Sequence, residues 1–491
     1  MAFEHGIRIE AQVNVFSCDS SEFHAKLASS RNALCIPLEA TEKKTAMRKV
    51  LVLGAGRSSS SLIATLLERA ERNEWEVYVG DVDEQVAAAK CQNHPAARPF
   101  RIDPNDDNAR NAHIASSDLV ISMVPAFMHP AIAEVAIEAG VHVITPSYVS
   151  REMKALHDRA VAADVLVLNE IGLDPGIDHL SAKAVLDRVE EQGGEMLEFE
   201  SYCGGLIAPE SDDNPWHYKF SWNPRNVVLA GQGGSATFLS GGAARLVPSH
   251  RTFQDVRRIE VGGAVFEGYP NRDSIAYEEI YGLQGIQTLI RGTLRGDGFC
   301  AGWNILVQLG CVRDDATMEW APGTSWADWM RTFLPAATNK QTVREAIAER
   351  FQADAATLDR LSWLGLFDAE SGPTRLNGTP AEVIQALLEE KWKLQSDDRD
   401  MIVMWHRFAY RMNGERHEIT SSLRLEGRDA TYTGMSDTVG WPVALAAEAL
   451  LHGKFADRGV QVPLNRKYYE ILLPALESMG VRFEETHRIC S

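Results

Sequence analysis

The segment Gly54-Ala55-Gly56-Arg57-Ser58-Ser59 places two glycines between an apolar run, Val50-Leu51-Val52-Leu53, and a helical pattern, Ser61-Leu62-Ile63-Ala64-Thr65-Leu66-Leu67. Such a turn lets backbone amides approach a pyrophosphate, and the helix N-terminus stabilises its negative charge. The sixth motif position is Ser59, where glycine or alanine is usual. A second β-rich run, Glu76-Val77-Tyr78-Val79-Gly80, ends at Asp81. A carboxylate there accepts hydrogen bonds from a ribose 2′-hydroxyl and repels a 2′-phosphate, so the pattern favours NAD over NADP. A strand-turn-helix that binds nothing is the alternative.

Asn169 to His179 carries Glu170, Asp174, Asp178 and His179 through a Pro175-Gly176 turn. A turn with Asp174 at its first corner and Asp178 capping the next helix would explain the segment structurally. Asp174 lies nearer the strand end and is the better placed to touch substrate or cofactor. Cys203 precedes Gly204-Gly205, where the backbone can be approached closely. A thiol nucleophile and a buried packing residue are both open there, although no base stands at a telling spacing. Lys219 and Arg225 lie among aromatic residues, a setting for a partly buried anion site or for surface charge. Arg272, in Pro270-Asn271-Arg272-Asp273, can grip a carboxylate or pair with Asp273. Arg291 and Arg295 supply further cations.

These residues need a scaffold. β-rich runs near 50–53, 76–80, 97–101, 118–125, 142–145 and 165–169 alternate with helical patterns at 84–91, 130–139 and 151–163. That rhythm predicts an α/β fold with a doubly wound, Rossmann-like parallel sheet. Ligands bind such sheets beyond the carboxyl ends of the strands. The rule points to Gly54–Ser58, Asp81, the Pro125–His129 segment with Val124 before it, Thr145–Tyr148 and Asn169–His179. From Glu195 the rhythm changes. Met196–Tyr202, Arg258–Phe266, Met401–Tyr410 and Glu418–Arg424 read as strands without regular crossover helices, as in an α+β domain. Residues 313–398 read as mainly helical, with a capping box at Thr379–Glu382. The expected organisation is a peripheral extension over 1–46, a dinucleotide-binding domain over 47–176 with a return near 434–460, an α+β substrate and dimerisation domain over 177–312 and 399–433, and a helical domain over 313–398.

The formal net charge of −19 over 491 residues argues against a nucleic-acid surface and against binding to anionic membranes. No apolar run reaches the ~20 residues that a membrane span needs. Seven scattered cysteines form no Cys-x-x-Cys pair and no zinc-type set, which fits a reduced, cytoplasmic setting and no metal.

Together these stretches resemble the saccharopine dehydrogenases that form L-glutamate. The matching segments are Val52–Gly56, Asp118–Pro125, Ser147–Ser150, Asn169–His179, Ser201–Trp222, Gly268–Ser274, Arg291–Arg295, Asp400–Met404 and Thr438–Pro442. The resemblance implies reversible, NAD- or NADP-dependent hydride transfer at a C=N bond, joining saccharopine to L-glutamate and 2-aminoadipate 6-semialdehyde in lysine metabolism. It implies a homodimer. It places Gly54, Ala55, Gly56, Arg57, Ser58, Asp81, Asp103, Val124, Pro125, Ser147, Leu173, Asp174, Pro175 and Ser221 at the cofactor. It lines the substrate pocket with Ser147, Tyr148, Asp174, Cys203, Arg272, Arg291, Gly292 and Thr293, with Lys219 as a further cation. Tyr148, Asp174 and Cys203 would stand nearest the chemistry. Two rival readings are an imine reductase acting on a carboxylated polyamine and a non-catalytic NADH-binding protein. Arg272, Arg291 and Lys219 speak against the first, because a polyamine pocket would be acidic.

Overall fold

Six apolar runs in the first part of the chain become parallel strands: β1 (Arg48–Leu53), β2 (Trp75–Asp81), β3 (Ala97–Arg101), β4 (Leu119–Ser122), β5 (His142–Ile144) and β6 (Leu166–Leu168). The structure is a computed structural model that describes residues 47–490; the extension expected over residues 1–46 lies outside the described residues. β4 and β6 are buried end to end and β1 from Val50 onward, as strands covered on both faces must be. Helices Ser60–Asn73 and His129–Ala139 flank the sheet, and the expected helix Glu84–Cys91 forms with Asp83 as its cap. The segment expected to be one helix over 151–163 is two, Arg151–Lys154 and His157–Ala162, separated by a turn that buries Leu156.

The second sheet is mixed. Its strands are β7 (Glu195–Ile207), β8 (Ala236–Ser240), β9 (Ala243–Val247), β10 (Arg257–Val261), β11 (Ala264–Pro270) and β12 (Thr288–Arg295). The run expected as one strand over 258–266 is a hairpin of β10 and β11, because Gly262 and Gly263 turn the chain back. β13 (Met318–Glu319) and β14 (Asn377–Gly378) make a separate antiparallel ribbon, and β15 (Asp400–Met412) and β16 (Glu415–Glu426) a long hairpin. β17 (Gly459–Gln461) returns to the first sheet, giving the order β17-β6-β5-β4-β1-β2-β3, and β18 (Phe483–Cys490) closes the second, β10-β11-β12-β7-β15-β16-β18, with the β8–β9 hairpin attached to β12. In the first sheet the chain reverses direction of travel between β1 and β4. That is the switch point at which a ligand crevice opens.

Between β13 and β15 the chain is mainly helical. Side chains of Ser325, Thr342, Asp354 and Thr379 cap four helices there, and the Thr379–Glu382 capping box is formed. Their apolar faces share one aromatic core with Trp216, Tyr218, Phe220, Phe299 and Trp303, so this core crosses position 312. The returning helix runs over Gly434–Leu451, within the return expected near 434–460. Thr433 caps it, and Pro442 sits inside it. Its buried face packs on Ser60–Asn73, where Ser61 Oγ donates to Asp437 at 2.5 Å.

Candidate active site

The glycine turn after β1 has a steric reason for its first member. Gly54 has φ +101°, and a Cβ there would lie 2.9 Å from the carbonyl carbon and oxygen of Met123. Only glycine lets the ends of β1 and β4 approach so closely. A Cβ on Gly56 would meet no protein atom within 4 Å. Nothing in the chain itself demands glycine there, and the cradle fits a pyrophosphate. Arg57 Nη1 donates to the Phe220 carbonyl at 3.5 Å, so the loop faces the segment that carries Ser221.

Asp81 ends β2 as expected, but its carboxylate is engaged. Oδ2 accepts from Ala55 N at 2.7 Å and Oδ1 from Asp83 N at 3.1 Å. Arg101 lies opposite it in the β2–β3 register, exposed, with Nε donating to the Val82 carbonyl at 3.3 Å. Asp103 follows, exposed, with Oδ1 accepting from Asn105 N at 2.9 Å. Beyond β4 Val124 is half-buried and Pro125 exposed, while Leu173 and Pro175 are buried beside Asp174.

A cavity of about 780 Å³ opens beside the carboxyl ends of β5 and β6, walled by Tyr148, Glu170, Asp174, Arg272, Tyr277, Arg291 and Gly292 among others. Its polar wall is one network. The Arg291 guanidinium, 7% exposed, donates to Asp174 Oδ1 at 3.0 Å and Asp178 Oδ2 at 2.5 Å and lies 4.1 Å from the Tyr277 ring centroid. Tyr148 O–H donates to Asp174 Oδ1 at 2.9 Å. Glu170 accepts from Val149 N at 3.0 Å and from Tyr277 O–H at 3.2 Å, and its Oε2 lies 2.8 Å from His179 Nε2. The backbone makes this possible. A Cβ on Gly176 would fall 2.1 Å from the Gly172 carbonyl oxygen, so a glycine with φ +147° folds the turn tightly enough to place Asp174 and Asp178 on one arginine.

The two aspartates are driven apart. Burial, then the Asp178 charge, pushes the Asp174 carboxyl above its usual range. Asp178 is held below it: burial works against this, but His179, Arg291 and the Gly176 N–H stabilise its charged form. Asp174 is therefore the wall carboxyl that takes a proton more readily. Asp178 is not the expected helix cap: it is the second residue of the helix Ile177–Glu191, which Gly176 precedes as the flanking residue, and its Oδ1 accepts from Gly176 N at 2.6 Å.

The sequence-derived cations separate. Arg272, at φ +59°, stacks 4.3 Å from the Tyr148 ring centroid and enters no ion pair among the described residues. Its neighbour Asp273 instead accepts from Thr237, Ile275 and Ala276. Arg295 is 4% exposed between Tyr218 and Phe299, with Nε unpartnered. Lys219 is corrected. It is 3% exposed, donates to Asp213 at 2.8 Å and Asp398 at 2.7 Å, and is not in the cavity wall, so its charge is already matched inside the fold. Arg225 pairs with Asp314 on the surface.

Cys203, on β7 opposite Thr293 of β12, is 6% exposed. Burial and the nearby aspartates push its thiol well up, which leaves it a neutral packing group and no nucleophile. Thr293 Oγ1 accepts from Asn271 at 2.8 Å, and a Cβ on Gly292 would strike Tyr202. Asp400, named from the sequence only as the start of the matching segment Asp400–Met404 and given no role there, is fully buried. Its carboxylate accepts from Gly434 N at 2.5 Å, Met435 N at 3.0 Å and Ser221, and so joins the returning helix to the segment after β7. Tyr277 gave no local sequence signal at all, whereas His179 and Glu170 lay within the charged turn.

No helix among the described residues is long and apolar enough to cross a membrane. A family model described as the saccharopine dehydrogenase NADP binding domain matches residues 50–168, and one described as the saccharopine dehydrogenase C-terminal domain matches 172–481. The chain is 34% identical to the saccharopine dehydrogenase [NADP(+), L-glutamate-forming] of Saccharomyces cerevisiae, over 89% of this chain and 99% of that one. Its identity to the Pyricularia oryzae protein of the same name is 36%, over 79% and 88%. Alpha-aminoadipic semialdehyde synthase of Bos taurus is 31% identical over 89% of this chain and 47% of its own length. The solved apo saccharopine dehydrogenase (L-Glu forming) of S. cerevisiae superposes with a TM-score of 0.81, at 33% identity, covering 90% of this chain and all of that one. The family model over residues 50–168 and the two fungal names carry NADP, and none of these names supports NAD. The chain belongs to the saccharopine dehydrogenase family.

Proposed function

We propose that this protein interconverts saccharopine with L-glutamate and 2-aminoadipate 6-semialdehyde by nicotinamide-dependent oxidoreduction at a C–N bond. The observation that carries the reading is the cavity wall: a free guanidinium, Arg272, stands beside a Tyr148–Asp174–Arg291 network at the mouth of a dinucleotide crevice. Saccharopine carries three carboxylates, and burying them without cations would be prohibitive. Arg272 grips one as a planar fork.

Gly54 to Ser58, Val124, Pro125, Ser147 and Ser221 would hold a nicotinamide dinucleotide, which supplies hydride acceptance and donation when bound. The chain's own residues do the rest. Arg291 fixes Asp174 and Asp178. Tyr148 and Asp174 keep a proton at Asp174 Oδ1 within one hydrogen bond of the cavity. The cavity walls hold these groups in place, so positioning supplies most of the rate.

For the cofactor, Asp81, Asp83 and Glu84 at the end of β2 favour NAD, since a 2′-phosphate would meet three acids. NADP is the second reading, favoured by Arg101 at the same edge and by the names of the relatives. A cytoplasmic homodimer with the substrate site in the α+β region is the accompanying expectation. The test follows absorbance at 340 nm with purified protein, saccharopine and either dinucleotide. Saccharopine-dependent reduction supports the activity, and the ratio of the two kcat/KM values, with and without Arg101→Ala, decides between the cofactors. Polyamine-dependent reduction would move the assignment to a carboxylated polyamine.

A further inference from the structure

His129, the first residue of the helix His129–Ala139, is 3% exposed, and every side-chain partner it has is a hydroxyl. Nδ1 lies 2.8 Å from Ser122 Oγ at the end of β4. Nε2 lies 2.8 Å from Ser147 Oγ and 3.3 Å from Thr145 Oγ1, both just beyond β5. No carboxylate or cation of the described residues pairs with it, and burial pushes the imidazole down to about 4. The ring is therefore neutral at physiological pH, with one nitrogen donating and the other accepting.

That neutrality has a consequence for Ser147. With Nε2 protonated, the ring donates to Ser147 Oγ, and the hydroxyl hydrogen is left for another acceptor. With Nδ1 protonated, Ser147 donates to the ring and offers its lone pairs elsewhere. In both cases the ring takes one function of a half-buried hydroxyl and aims the other outward. Ser147 is also tied to the cavity wall: its carbonyl accepts from Glu170 N at 3.1 Å, and the next residue is Tyr148, bonded to Asp174. The ring thus links β4, which leads into Met123–Pro125, with the turn that begins the cavity wall. A packing residue in the same place would have no use for two nitrogens, each 2.8 Å from a hydroxyl of a different segment.

We propose that His129 is a positioning residue whose neutral ring fixes the Ser147 hydroxyl as a hydrogen-bonding partner for the bound dinucleotide and holds the Ser147–Tyr148 turn in register. This rests on reading the β4–β5 crevice as the dinucleotide site. The experiment is a double-mutant cycle on full-length protein with His129→Phe, Ser147→Ala and the pair together. NADH binding is read by fluorescence titration and kcat/KM from saccharopine turnover. Each single variant is expected to weaken NADH binding and kcat/KM about tenfold or more. The double variant should match the worse single variant within threefold, and His129→Gln, which keeps polar atoms near Nε2, should recover at least threefold over His129→Phe. Losses that multiply, or a folded His129→Phe within threefold of wild type, overturn the proposal. If His129→Phe does not fold, Ser122→Ala keeps the ring and frees Nδ1; a threefold to tenfold loss of NADH affinity supports the role, and no loss overturns it. If saccharopine is not turned over but NADH binding follows the cycle, the activity reading fails and the positioning role stands.

Discussion

Replacing Arg291 with methionine removes one guanidinium and strands two buried carboxylates. In the native protein Asp174 and Asp178 share that cation at 3.0 and 2.5 Å, and it also lies against the Tyr277 ring. Breaking a buried pair in this way costs about 3–5 kcal/mol, because the orphaned charge stays out of water. Protonation of Asp174, already pushed up, offsets part of that cost. Near 2 cal/mol/K of unfolding entropy per residue, a chain of this size loses only roughly 1 °C of Tm per kcal/mol, so a drop of about 3–5 °C is expected. The catalytic effect should be larger in proportion: a Tyr148–Asp174 pair misplaced by about 1 Å would cost on the order of 100-fold in kcat/KM. Differential scanning fluorimetry and saccharopine kinetics measure the two. Adding Asp178→Asn removes one stranded charge and should restore at least half of the lost Tm without restoring turnover. The reasoning is refuted if Arg291→Met melts within 1 °C of wild type and turns over within threefold, or if the second substitution lowers Tm further.

Arg272→Ala should raise KM for saccharopine about 10- to 100-fold, the worth of a charge-assisted hydrogen bond, while kcat changes less; equal loss in kcat alone would place Arg272 elsewhere in the reaction. Lys219→Met should lower stability by ~3 kcal/mol through its buried partner Asp398, the exposed Asp213 being solvated, and leave KM near wild type, and a large KM change would return it to the pocket. Gly54→Ala should lose NADH binding and ~1–3 kcal/mol of stability, since its φ and the Met123 backbone both resist a Cβ; unimpaired NADH titration would contradict this. Burial raises the Asp400 carboxyl to about 6. Its stabilising share is therefore full below the unfolded carboxylate value near 4 and is lost as pH rises through about 6. The stability of wild type relative to Asp400→Asn should fall between pH 4 and pH 7 by on the order of 3 kcal/mol, read from urea unfolding, and parallel pH profiles would refute it.

The chain's local patterns were sufficient for the first sheet, because a strand buried on both faces reads as an unbroken apolar run and its crossover helices as periodic ones. The bounds of Glu84–Cys91 and Ala97–Arg101 follow from the sequence to the residue. The 258–266 segment shows the limit: a hairpin closed by two glycines keeps the alternation of one strand, and only pairing with β12 reveals two. At the site, the sequence determined which groups were available, namely the glycine turn, the charged Asn169–His179 stretch and the arginines around 272 and 291. Their tasks it left open, since a side chain's charge state depends on neighbours that are distant in the chain. Lys219 met two aspartates, one of them 179 residues away, and became structural. Arg291 met Asp174 and Asp178 across more than a hundred residues and became the centre of the cavity wall. Asp81 turned its oxygens to the Ala55 and Asp83 amides. Composition and periodicity record burial along the chain, but desolvation and ion pairing arise only when the two sheets meet, and those decide which charges remain free for a ligand.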